Sequence, residues 1–213
     1  MNKLAEIVLN IPWLQILAES WKLGRKLWRG MAVEGMYEVL EYESTLDIRD
    51  KYGKQAQFQK REKVRYLQDN IIAFQDHAWG DGKILLDYAC TPGFVADRYR
   101  PNYKTFILIS LREMKRREDV DEFNIKWGIE KGFTRSREQW ETQVIHRTKR
   151  LKIQVLFPKS RPPLRVQLVE KLVKRVTILS QNNIVRLPNG RWQVSWQTDQ
   201  PRLNESYILK WEW

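Results

Sequence analysis

Between Arg147 and Val169 apolar and polar residues alternate almost without interruption, and this periodicity limits the fold more than any other feature of the chain. Leu151, Ile153, Val155 and Phe157 alternate with Arg150, Lys152 and Gln154. A period of two puts successive side chains on opposite faces of an extended strand, so one face is apolar and the other polar. The apolar positions are largely β-branched or aromatic, which suits a pleated surface. Pro158, Pro162 and Pro163, with Ser160 and Arg161, interrupt the run, and Leu164, Val166 and Leu168 then alternate with Arg165 and Gln167. Pairing of the two halves predicts a ribbon whose polar face carries Arg150, Lys152 and Arg165. Such a face is either ordinary solvated sheet surface or a cationic surface for an anionic partner. Leu168, Val169, Leu172, Val173 and Val176 also fit a helix, with Pro163 a suitable first residue. Strand is expected through about Val169, and residues 170–179 are left open between helix and strand.

The rest of the chain reads mainly as strands. Residues 36–49 alternate with a slip near Leu40 that suggests a bulge, and Asp50 to Lys54 forms a turn into a returning strand at 56–67. Ile71 to Ala78 is a third strand, so the three are expected to form a meander. Trp79-Gly80-Asp81-Gly82 turns into 84–89, residues 91–102 read as a loop, and Tyr103 to Leu111 is strongly strand-like. Residues 112–119 read as a polar connection, while Phe123, Ile125 and Trp127 alternate. Pro188-Asn189-Gly190 marks a hairpin between 185–187 and 192–196, and the chain ends on a tryptophan-rich strand from Tyr207. The expected fold is a mainly antiparallel β-sandwich of roughly ten strands, with an N-terminal amphipathic helix. Residues 1–30 form the helical segment and 31–213 a single β domain. A sub-boundary near 130–140 is the alternative, because Gly128 to Glu138 is the most linker-like segment.

In the N-terminal segment, residues 3–28 carry an apolar arc of Trp13, Leu14, Leu17, Trp21, Leu27 and Trp28, with Lys22, Lys26 and Arg29 opposite. Three uses fit such a helix: covering a face or edge of the β domain, lying in a membrane interface, or docking into a partner protein.

Charge is the main functional signal. The net charge is +12, with 15 basic against 14 acidic residues in 1–100 and 23 against 12 in 101–213, so an electrostatic footprint belongs to the second half. Such a balance favours nucleic acid, an anionic lipid surface or an acidic protein as partner. Arg147, Lys149, Arg150, Lys152, Lys159, Arg161 and Arg165 are the candidate phosphate contacts. Cations adjacent to tryptophans, as in Lys126-Trp127, Arg191-Trp192 and Lys210-Trp211, fit the stacking-plus-charge chemistry of single-strand binders. Strand neighbours point to opposite faces, however, so those tryptophans also read as core.

Catalytic and metal signatures are sparse. Cys90 is the single cysteine, which excludes an internal disulfide and makes a reducing cytoplasmic compartment the expectation. His77 and His146 have no paired Cys or His at metal-ligand spacing, and no phosphate-binding glycine loop or nucleophile elbow is present. Asp76, His77, Asp81 and Cys90 can be drawn as a nucleophilic set, and Glu118, Asp119, Asp121 and Glu122 as an acidic cluster; a polar turn beside a lone thiol, and a solvated loop, explain them as well. No cofactor or metal is expected. The function expected is a non-enzymatic basic binding or accessory module, with nucleic acid the first candidate partner; a protein scaffold or membrane-surface protein acting through residues 3–28 is the alternative, and a hydrolase around His77 the least favoured.

Overall fold

The computed structural model describes residues 35–213, a mainly β structure with no α-helix among the described residues. Strands β1 (Tyr37–Ile48), β2 (Gln55–Tyr66), β4 (Lys83–Thr91), β7 (Val120–Glu130), β9 (Thr148–Phe157), β12 (Ile184–Arg186) and β13 (Trp192–Asp199) form a seven-stranded sheet in the order β12-β13-β9-β1-β2-β7-β4. Strands β3 (Ile71–Ala78), β5 (Phe94–Tyr99) and β6 (Thr105–Lys115) form a three-stranded sheet, β3-β6-β5. A four-stranded sheet, β11-β10-β14-β8, is made by β8 (Arg137–Gln143), β10 (Arg165–Glu170), β11 (Arg175–Ile178) and β14 (Ser206–Glu212). Pairing is antiparallel throughout these sheets except between β1 and β9, which run parallel.

The period-two pattern does what it predicts: Leu151, Ile153, Val155 and Phe157 are buried, while Arg150 is exposed and Lys152 half-buried on the other face. The inner face of the seven-stranded sheet packs on both smaller sheets. Phe74 of β3 stacks on Phe123 of β7 at 3.9 Å between ring centroids, and Trp211 of β14 meets Phe157 of β9 edge-on at 5.5 Å. These rings belong to one continuous apolar core that also includes Trp127, Phe133 and Tyr207. The slip near Leu40 is a register shift in the β1–β2 ladder between Val39 and Glu41. At Gly53 a side chain has no room: its φ is +66°, and a Cβ there would lie 1.6 Å from the Phe133 carbonyl oxygen.

Several expectations are corrected. Fourteen strands are present among the described residues, in place of roughly ten. The two halves of Arg147 to Val169 do not pair; β9 lies between β1 and β13, and β10 joins the other sheet between β11 and β14. Nor is β3 the third strand of a meander. It crosses over the face of β2, whose second neighbour is β7, because Phe74 and Asp76 have their partners on the inner face of the larger sheet. The 91–102 loop contains β5, and β6 runs on through the first part of the polar connection to Lys115. Residues 170–179 are not helical: Lys171 to Lys174 turn and β11 follows, with Val169 opposite Val176. Gly128 lies within β7, and Phe133, in the segment read as linker, is buried against Trp140 and Trp211. The segment 3–28, with Trp13, Leu17, Trp21 and Trp28, lies outside the described residues.

Candidate functional site: a cationic cleft and a buried charge cluster

Strand register builds a polar platform on the outer face of the four-stranded sheet. Residues opposite one another in a ladder share a face. Arg165 faces Glu212, which faces Arg137; one step along, Gln167 faces Lys210, which faces Gln139. These two rows form one wall of a cleft of about 890 Å³. The opposite margin is supplied by Trp79, at the end of β3, and by Tyr103 and Lys104, which lead into β6. Within the cleft Arg137 pairs with Glu212 at 3.1 Å and Arg135 with Asp81 at 3.3 Å. Arg165, Lys171 and Lys210 make no ion pair among the described residues, and all three are exposed. Lys104 lies over the Trp79 ring at 4.5 Å and donates to Gln143; burial lowers its pKa and the Glu141 carboxylate opposes that shift. Tyr103 is 65% exposed, so its ring is open to a stacking partner.

A second polar group lies inside the fold. Lys60 of β2 is buried with its ammonium 2.8 Å from Glu62 and 2.6 Å from Asp76, and Tyr88 donates to the other Asp76 oxygen at 2.8 Å. Burial alone would lower the Lys60 pKa, but Asp76 and Glu62 outweigh it and hold the ammonium well above its ordinary value. Asp76 is lowered in spite of its burial, chiefly by Lys60. His146 borders a narrow cavity of about 70 Å³ next to this cluster, its ring tilted against that of Tyr37 at 4.1 Å between centroids, with Nδ1 buried and unpartnered among the described residues.

The seven cations singled out in the sequence do not converge. Arg150 pairs with Glu41 on the outer face of the seven-stranded sheet, where Arg61 bridges Glu41, Glu43 and Glu122. Lys149 lies 3.8 Å from Glu38, while Arg147 is exposed at the entrance to β9. Lys152 stands between Glu43 and Gln197 in the ladder. Arg161 lies over the Trp213 ring at 3.8 Å and donates to the carbonyls of Lys51 and Arg135, so it ties loops together. The aliphatic chain of Lys159 lies against Gly190. Of the seven, Arg165 lines the cleft.

Asp76, His77, Asp81 and Cys90 are likewise dispersed. Asp76 is engaged by Lys60, and His77, one residue on, stacks on Trp79 at 5.4 Å from β3's other face. Asp81 belongs to the cleft through Arg135. Cys90, on β4 opposite Ile125, has its thiol pKa raised by burial and by the Asp76 carboxylate, against the pull of Arg98, the reverse of what activates a nucleophile. In the acidic cluster Asp121 holds Lys115 and Tyr66, Glu122 holds Arg61 and Glu118 holds Arg65. Sequence reasoning missed Lys104, Arg137, Lys171 and the cleft role of Lys210. The phase of β14 places Lys210 on the face opposite Trp211, but no local signal shows that β8, β10 and β14 are neighbours.

Among the described residues, fold and cleft together define a mainly β structure with a cationic groove between two of its sheets. The sequence matches no protein-family model and no curated protein. Among solved structures, the fold resembles part of a Parabacteroides distasonis protein that carries a provisional protease name, with a TM-score of 0.54 at 9% identity, over 85% of this chain and 41% of that one. An M1 zinc metallopeptidase from Deinococcus radiodurans aligns at a TM-score of 0.46 and 8% identity, over 83% of this chain and 42% of the other. The chain therefore spans less than half the length of either protein, and the likeness to the Parabacteroides distasonis protein is one of fold.

Proposed function

We propose that this protein is a non-enzymatic binding module whose cleft takes an anionic macromolecule, with nucleic acid the first candidate. The observation that carries this reading is the cleft itself: Arg165, Lys171 and Lys210 stand free of ion pairs among the described residues, opposite the rings of Trp79 and Tyr103. Cations grip phosphates and aromatic faces accept unstacked bases, the combination that single-strand binders use. The arrangement is read here as a β-sandwich, with the two smaller sheets forming one layer and the cleft running between them. With one cysteine, half-buried, and its thiol pKa raised, a reducing cytoplasmic setting suits the chain.

The test is fluorescence anisotropy with labelled single-stranded RNA, single-stranded DNA and duplex DNA across a salt series. Micromolar binding with a steep salt slope is expected. Arg165→Glu with Lys210→Glu is expected to weaken it by about tenfold or more and to reduce the slope by roughly 0.7 for each single-strand phosphate no longer neutralised. Arg150→Glu, which disturbs only the outer-face pair with Glu41, is expected to leave affinity within about twofold. No binding at low salt would overturn the reading.

A second reading rests on the fold likeness to a protein with a provisional protease name. The domain would then be an accessory part of a peptide-handling protein, and the same cations would meet acidic side chains. An acidic peptide that binds where none of the three nucleic acids does would favour it.

A further inference from the structure

Strand β8 is the last strand of its sheet, and its free edge lies in the cleft. Just before β8, the Ser136 carbonyl accepts from Trp213 N–H; just after it, Val144 N–H donates to the Glu205 carbonyl. Between these points β8 pairs with β14 antiparallel and without a register shift. Hydrogen-bonded pairs alternate in such a ladder, so Glu138, Trp140 and Thr142 turn their backbone groups to β14. The N–H and C=O groups of Gln139, Glu141 and Gln143 point the other way and have no backbone partner among the described residues. A row of unpaired donors and acceptors is a template for a ligand with the same alternation.

What stands beside that edge decides which ligand fits it. Arg165 and Lys210 are diagonal neighbours across β10 and β14, about 7–8 Å apart. Two strand spacings, about 10 Å, separate β10 from β8. That width is comparable with the reach from a phosphate to the edge of its own base. On the opposite margin the Tyr103 ring is open to stacking. We propose, resting on the nucleic-acid reading of the cleft, that its ligand is a single strand. Its phosphates lie along Arg165 and Lys210, its bases present their Watson–Crick edges to the backbone of Gln139, Glu141 and Gln143, and one base stacks on Tyr103. Every base carries a donor beside an acceptor on that edge, as does each of these three residues, so the contact selects unpaired bases with little regard to sequence. In a duplex those edges are already paired and the bases remain stacked, so a duplex keeps only its phosphate contacts.

The experiment compares a labelled single strand with the same strand annealed to its complement, by anisotropy with the full chain at low salt. The single strand is expected to bind about tenfold or more tightly than the duplex. Tyr103→Ala is expected to weaken single-strand binding by about 5- to 150-fold, the loss of one stacked base, and to leave the salt slope and duplex binding unchanged. Gln139→Pro removes one edge donor that the β14 ladder does not use, and is expected to weaken single-strand binding by roughly three- to tenfold relative to Gln139→Ala. In the wild-type protein, saturating single strand is expected to slow hydrogen exchange at the amides of Gln139, Glu141 and Gln143, and the duplex to leave them unchanged. Equal affinity for the two forms would overturn the proposal while leaving the cleft a phosphate-binding site. Binding of neither form would overturn both. Unchanged exchange at the three amides in the single-strand complex would overturn the proposal however tight the binding. Protection of those amides by an acidic peptide and by neither nucleic acid would also overturn it, by assigning the edge to an added peptide strand.

Discussion

Replacing Lys60 with methionine is expected to destabilise the protein by about 3–5 kcal/mol, the cost of breaking a buried ion pair by removing one partner. The side chain is nearly inaccessible, its ammonium is 2.6 Å from Asp76 and 2.8 Å from Glu62, and the Tyr42 ring closes the site at 5.6 Å. Methionine fills a similar volume, so the loss isolates the charge. Two carboxylates would face each other in the core with Tyr88 as the neutral donor left to Asp76. Without the ammonium, burial would raise the proton affinity of Asp76 above its unfolded value, and the folded variant would bind that proton more readily than the unfolded chain. The stability lost on Lys60→Met, relative to wild type at the same pH, is therefore expected to shrink as pH falls from 7 toward 5. Around Asp76 the wild type behaves oppositely: its lowered pKa means that stability present above the unfolded value of 3.8 is lost as pH drops through the folded one. Adding Asp76→Asn to Lys60→Met is expected to recover part of the loss. Urea denaturation of the three proteins at pH 7 and pH 5 checks this; a single variant as stable as wild type at pH 7 would show that the buried ammonium does not hold the cluster together.

The wild-type protein is expected to lose stability as pH falls from about 6.5 to about 4, through His146 and His77. The His146 imidazole is 6% exposed, and burial, with Lys60 adding repulsion, lowers its pKa from 6.5 to about 4. Below 6.5 the unfolded chain takes up a proton that the folded chain refuses, so the unfolded state is favoured progressively until the folded pKa is reached. The loss from His146 alone is about 3 kcal/mol at about 1.4 kcal/mol per unit. His77 acts in the same direction: burial lowers its pKa to about 4, although the Asp76 carboxylate opposes the shift. His146→Phe keeps a ring against Tyr37 and removes the proton. Its unfolding free energy is expected to be flatter across this window, as measured by urea titration at half-unit pH steps, whereas an unchanged slope would place the acid sensitivity elsewhere.

These two effects and the cleft share a cause that local sequence does not carry. Residues 36–78 contain Lys60 and Asp76 in strands whose alternation is plain, and the β1–β2 hairpin, its bulge and the Asp50 turn are all legible there. What alternation shows is which side chains share a face of one strand. It does not show that β3 lies across β2 rather than beside it, which is what brings Asp76 to Lys60. The run from Arg147 to Val169 fails in the same way. Each half is a strand with the predicted faces, yet the halves part into different sheets, and Arg150 meets Glu41 while Arg165 turns into the cleft.

A mainly β protein, the positions of several turns, the buried face of strands such as β2, β7 and β9, and a basic second half can all be read from residue order. Those properties follow from side-chain periodicity and turn chemistry, which act over a few residues. Which strands become neighbours emerges only when the sheets assemble, and with it which cations are taken up by carboxylates and which stand free in the cleft. Ladder pairing joins residues far apart along the chain, as Lys210 joins Gln139 and Gln167, and no short-range pattern encodes it.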